Sequence, residues 1–150
     1  MFDLKAVLPQ LLPGAIAWAE NESQQAAANG RRLTALECEF AKIVGVRDFD
    51  SISVSEVDQL PLPEEPALRA AALATGLIGP QMAGLTLGHT IFVIRKHLSN
   101  RLISHELRHV HQYEELGSIA KFLPLYLEQI ATVGYENAPL EIDARKYEIR

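Results

Sequence analysis

The chain has 150 residues, 48% of them hydrophobic and 22% charged, so it can bury a core without disulfide help and reads as an ordinary soluble globular protein. Its net charge of −5 and the lack of any basic stripe argue against a nucleic-acid partner. A lone cysteine, Cys38, excludes both an internal disulfide and a cysteine-based zinc cluster, leaving histidine and carboxylate as the side chains able to hold a metal.

Residues 4–28 read as an amphipathic helix broken near Pro13-Gly14 and stopped at Asn29-Gly30. Asp3 and the interruptions at Pro9, Gln10 and Pro13 argue against a signal peptide, so an unexported, cytoplasmic protein is expected. No run approaches the roughly 20 apolar residues of a membrane span. Leu33, Leu36, Phe40, Ile43 and Val44 share one helical face, which predicts a second helix ending at Gly45 with Cys38 off that face, as a packing residue rather than a reactive thiol. Ile52, Val54 and Val57 predict a strand, and Leu60-Pro61-Leu62-Pro63 an extended connector. Pro66 opens an alanine-rich helix that ends at Gly76.

GLTLGHTIFVI, residues 84–94, is rich in strand formers around Gly88 and predicts either a bent strand or a tight hairpin. Ser99 and Asn100 cap a helix that Gly117 stops. The next helix, Ile119–Val133, is apolar over much of its circumference, which predicts a buried helix packed on the one before it, kinked near Pro124. Pro139 marks the first turn of a last helix running towards Arg150.

The chemistry is carried by His105-Glu106-Leu107-Arg108-His109, an H-E-x-x-H motif on a helix. Residues four apart stack on one helical face, so both imidazoles reach one ion. Glu106 lies roughly 100° around the helix from His105. That offset keeps it off the metal while letting it take a proton from a metal-activated water as general base. Ile103, Leu107 and Val110 point opposite the histidines, into a core. Ser104, Arg108 and His111 share a third arc that reads as solvated, which argues against a ligand role for His111. Gln112 lies near the histidine face.

A site open for catalysis needs a third protein ligand. Glu141 and Asp143 sit two apart and so point in nearly opposite directions on a helix. Glu141 is preferred, because its neighbour at i+3 is Ala144, small enough for two helices to approach. Glu136, in the preceding turn, is a weaker choice.

The run HELRHVHQ resembles the HELxHVxQ signature of a family of small bacterial zinc metallopeptidases, zincins of gluzincin type. The likeness extends from about Gly84 to Arg145, through GLTLGHTIFVI and NAPLEIDAR. It implies an α+β, mostly helical zincin-like domain with a small β-sheet beside the H-E-x-x-H helix, spanning residues 1–150. It also implies Zn2+ held by His105, His109 and Glu141, with Glu106 as general base. Two positions depart from the pattern. Gluzincins often carry a histidine-orienting acid one turn after the ligand glutamate, where this chain has Arg145, and Asp143 stands where relatives often have Glu.

His89 is expected at a turn, on the surface or bordering a cleft, and His97 in solvent. Tyr113, Tyr126 and Tyr135 are equivalent candidates for an oxyanion donor. The expected activity is peptide-bond hydrolysis on a peptide or protein substrate. The alternative is a non-catalytic, zinc-stabilised protein-binding module, or an effector or toxin domain. Glu106 favours the enzyme, since a structural site has no use for it.

Overall fold

The computed structural model describes residues 3–78 and 82–150. The fold is α+β and mostly helical. Among the described residues, six α-helices surround a three-stranded mixed sheet: α1 (Leu4–Asn29), α2 (Ala35–Ile43), β1 (Ser53–Val57), α3 (Pro66–Ala74), β2 (Gly84–Leu87), β3 (Thr90–Ile94), α4 (Asn100–Leu116), α5 (Ile119–Val133) and α6 (Pro139–Lys146). No helix among the described residues is long and apolar enough to cross a membrane.

The strand order is β1-β3-β2. β3 pairs in parallel with β1, from Ser53↔Thr90 to Val57↔Ile94, and antiparallel with β2. Every residue of β3 is buried, as a central strand requires, and its side chains alternate between two cores. Ile91 and Val93 join Val54 of β1, Phe40 of α2 and Ile103, Leu107 and Val110 of α4. Phe92 and Ile94 join the core made by α1, α3 and α5. The sheet thus lies between the metal-motif helix on one side and the long first helix on the other.

Of the two forms open for residues 84–94, the chain takes the hairpin. Leu87 pairs with Thr90 across a two-residue turn, and Gly88 supplies the positive φ of 67° that the first turn position needs. Ser23 of α1 ties the turn down, donating to the Leu87 carbonyl at 2.9 Å.

Several expectations are corrected. α1 runs unbroken through Pro9 and Pro13, because packing against α5, α3 and β1 holds a helix that has lost two backbone donors. Gly30 ends it by allowing close approach rather than by a left-handed turn, since a Cβ there would lie 1.9 Å from Ser53 Oγ. α2 stops at Ile43, and of the expected face Phe40 and Val44 are in the core with Leu33 packed against it. Leu36 and Ile43 are exposed, whereas Glu37, Phe40, Ala41 and Val44 are buried. Glu37 turns the helix, because it closes a capping box with Thr34 and pairs with Arg31 at 2.8 Å. Cys38 is half-buried. The last helix stops at Lys146 rather than running towards Arg150, and the chain then folds back along α4, where the Ile149 amide donates to Ser104 Oγ at 2.7 Å.

The third arc of α4 is also not a wet face. Ser104 is fully buried, and His111 Nδ1 lies 2.9 Å from the Gly45 carbonyl. Arg108 donates to the Val44 carbonyl at 2.7 Å and to both carboxylate oxygens of Asp143, and its guanidinium lies 3.6 Å over the Tyr147 ring. The segment after α2 and the C-terminal turn cover this arc, and projecting α4 in isolation cannot reveal them.

Candidate metal centre

α4 carries the motif into the interior. Ser99 caps its first turn through the Leu102 amide, and Gly117, at φ 105°, ends it. Ile103, Leu107 and Val110 anchor its inner face, leaving His105 and His109 directed at α6. α6 begins with Pro139 and presents Glu141 from its first turn. Ala144, fully buried, lets the two helices approach.

His105, His109 and Glu141 converge, each offering one ligand atom within 4.8 Å of the others. His105 Nε2 lies 3.1 Å from Glu141 Oε1, and His109 Nε2 lies 3.0 Å from Glu141 Oε2. The outward-facing ring nitrogens are already engaged. His105 Nδ1 lies 2.8 Å from Glu148 Oε2, and His109 Nδ1 lies 2.7 Å from Gln112 Oε1. Both Nε2 atoms are thereby directed at one point, which is the arrangement that metal-binding histidines need. Two imidazoles and one carboxylate, with their outer nitrogens held, are a donor set that suits zinc.

The electrostatics follow from burial and pairing. Burial alone would raise the Glu141 carboxyl, but hydrogen bonds from both imidazoles and from the Tyr126 hydroxyl, at 2.7 Å, hold it well below the usual carboxylate range. Burial alone would lower His105. Its bond to Glu141, the charges of Glu106 and Glu141, and its bond to Glu148 outweigh this and push it up to about 9. His109 is raised against its burial by the same Glu141 and Glu106. Without a metal the Glu141 carboxylate therefore holds both rings by hydrogen bonds and favours their protonated forms.

Glu106 stands beside this group and outside it. It is buried at 5% exposure, and Thr86 of β2 donates to its carboxylate at 2.7 Å and to its carbonyl at 3.2 Å. A Cβ on Gly84 would come within 3.0 Å of the Glu106 carboxyl, so the glycine makes room for the acid. Glu106 also faces an open cleft of about 760 Å3, bordered by Ser99, Arg101, His105 and Tyr135.

The other residues singled out in the sequence divide clearly. Asp143 takes no part in the trio. It accepts from Arg108 and from Gln112 Nε2 and so holds the amide that in turn holds His109. Glu136 is exposed and offers its backbone carbonyl to Arg145. His111 and His89 lie elsewhere, His89 paired with Glu114 at 2.9 Å near the hairpin turn. His97 is exposed. Among the tyrosines, Tyr126 donates to Glu141 and Tyr113 to the Thr86 carbonyl. Tyr135 is half-buried and borders the cleft.

Sequence reasoning missed Glu148. It supplies from the C-terminal turn the acid that Arg145 does not, and Arg101 fixes it at 2.7 Å. The signal for it would have been an acid that only a chain reversal after α6 could return to α4. The chain matches no family model, no curated protein and no solved structure.

Proposed function

We propose that the chain is a zinc-dependent metallopeptidase, with His105, His109 and Glu141 as ligands and Glu106 as general base. The observation that carries this reading is the separate placement of Glu106. It lies next to the trio, is held by Thr86, has room made for it by Gly84, and faces the cleft. A purely structural metal site has no use for such an acid.

Zinc, when bound, supplies Lewis-acid polarisation of the carbonyl and acidifies a water. The chain's own groups do the rest. The Glu106 carboxylate takes a proton from the attacking water as its oxygen bonds to the carbonyl carbon, and returns it to the departing nitrogen as the C–N bond breaks. Thr86, donating to Glu106 Oε1, orients the carboxylate. Glu148 and Gln112 fix the two rings, and Tyr126 holds Glu141. Tyr135, half-buried and bordering the cleft, is the candidate donor to a developing oxyanion.

The test is elemental analysis of protein purified without chelator, paired with a peptide-library cleavage screen. One zinc per chain and cleavage abolished by chelation support the proposal. Absence of zinc, with none taken up on addition, overturns it. Zinc without cleavage of any peptide favours the zinc-stabilised binding module instead.

A further inference from the structure

The trio stands where two cavities meet. One is the open cleft already described, whose walls mix charged side chains such as Arg101 and Glu148 with apolar ones such as Leu102 and Val133. The other, of about 100 Å3, is apolar and deeper, lying between α1, α3, β2 and α5. Leu8, Ala15, Trp18, Leu85 and Leu127 contribute to its walls, and His109 and Glu141 lie at its polar end. Gly84, Glu106 and Tyr135 border both spaces. The acid assigned as general base therefore sits on the threshold between them.

We propose that the apolar cavity is the seat for one side chain of the substrate, a leucine, isoleucine or phenylalanine beside the bond to be cut, with the peptide backbone lying in the open cleft. The proposal rests on the hydrolytic reading and adds a substrate class to it. Protein interiors are close-packed, so a space of this size reaching a charged cluster is one that the chain's own side chains leave unfilled. An apolar cavity of about 150 Å3 stays dry and admits benzene. A cavity of about 100 Å3 therefore suits a branched aliphatic side chain or, with a small shift of its walls, a single ring. It is too small for a fatty-acyl chain. An acidic side chain would lose its water among the leucines and face the carboxylates of Glu106 and Glu141 at the mouth. Because Glu106 borders the mouth, a side chain seated there brings its own backbone carbonyl or amide beside the base.

Selectivity in such a pocket is large, since one methylene is worth about 10–200-fold. The experiment uses the zinc-loaded full chain and two readouts. The first is binding of N-acetyl-leucinamide, N-acetyl-alaninamide and N-acetyl-aspartamide, followed by NMR shifts of the Trp18 indole. The leucine compound should bind at least about 10-fold more tightly than the alanine compound, and the aspartate compound should not shift the indole. The second is cleavage of peptides varied at the positions flanking the cut, where leucine should be preferred over alanine and aspartate. Ala15→Phe fills the cavity from α1, and should abolish both leucinamide binding and the preference for leucine over alanine in cleavage, while zinc content stays unchanged. Ala72→Phe fills it from α3 and serves if the first variant does not fold; should neither fold, the wild-type binding series decides. Equal binding of the three amides overturns the proposal. So do filling variants that raise the melting temperature and leave leucinamide binding intact, since the space is then a packing void. Selective leucinamide binding by a protein that cuts no peptide keeps the pocket and removes hydrolysis. Cleavage indifferent to the flanking side chain keeps hydrolysis and removes the pocket.

Discussion

Raising the pH from 7 to 9 should tighten zinc binding steeply, because the metal competes with protons on the same ring nitrogens. In the metal-free protein burial disfavours the charged ring, but the bond to Glu141 and the charges of Glu106 and Glu141 outweigh it and push His105 up to about 9, against 6.5 for the free side chain. Its protonated form is the stabilised one. Its contribution to the metal-free fold is therefore full below pH 6.5 and fades as the pH climbs through 9. Glu141 runs the other way. Its carboxyl is depressed, so its contribution is full above the ordinary value of 4.5 and is lost in acid. Zinc needs neutral imidazole and ionised carboxylate. At pH 7 His105 is mostly protonated and at pH 9 much of it is neutral, so apparent affinity should rise by roughly one to two orders of magnitude over this range from His105 alone. His109, raised by the same neighbours, adds in the same direction. Chelator-competition titrations at pH 7, 8 and 9 measure the affinity. Calorimetry at pH 7 in buffers of different ionisation heat counts the protons, and close to one should leave from His105 with a further contribution from His109. Glu141 should release none. An affinity flat between pH 7 and 9, with no proton released at pH 7, refutes the electrostatic account of the trio.

Three substitutions separate supporting roles from the chemistry. Glu148→Ala removes the acid on His105 Nδ1 and should weaken zinc binding about 10–100-fold in the same titration. Gly84→Ala puts a methyl within 3.0 Å of the Glu106 carboxyl, so zinc content should hold while peptide cleavage falls by up to about 10²–10⁴-fold. Arg108→Ala loses the ties from α4 to Val44, Asp143 and Tyr147 and should cost about 1.5–3 kcal/mol, read from denaturant unfolding of the metal-free protein.

The motif helix was legible in the sequence because its information is local. Ser99, Gly117 and the 3.6-residue period of Ile103, Leu107 and Val110 decide its ends, its buried face and the direction of His105 and His109. Pro139 likewise set the start of α6, and with it the turn from which Glu141 points. The individual helices and strands were legible for the same reason, from apolar runs such as the one in β3 and from the punctuation at Gly76 and Gly88, while the α+β class came with the resemblance. What escaped was non-local. Arg108, His111 and Ser104 looked solvated because the elements covering them come from before β1 and after α6. Phe40 and Val44 of the apolar stripe on α2 are buried as read, but Leu36 and Ile43 are exposed, where burial of Glu37 against Arg31 turns the helix. Glu148 could be found only by knowing that the chain reverses at Tyr147.

Glu106→Gln, compared with Glu141→Gln, tests the division of labour at this site most directly, with zinc content and peptide cleavage measured on the same preparations. Gln at 106 keeps a group for Thr86 to hold and leaves all three proposed ligands in place. This variant should keep its zinc and its fold and lose cleavage about 10²–10⁴-fold, because an amide cannot accept the water's proton. Glu141→Gln should lose zinc and cleavage together. If Glu106→Gln instead expels the metal, Glu106 is itself a ligand or a required support for one. If it retains both zinc and full cleavage, Glu106 is not the base, and either result contradicts the account.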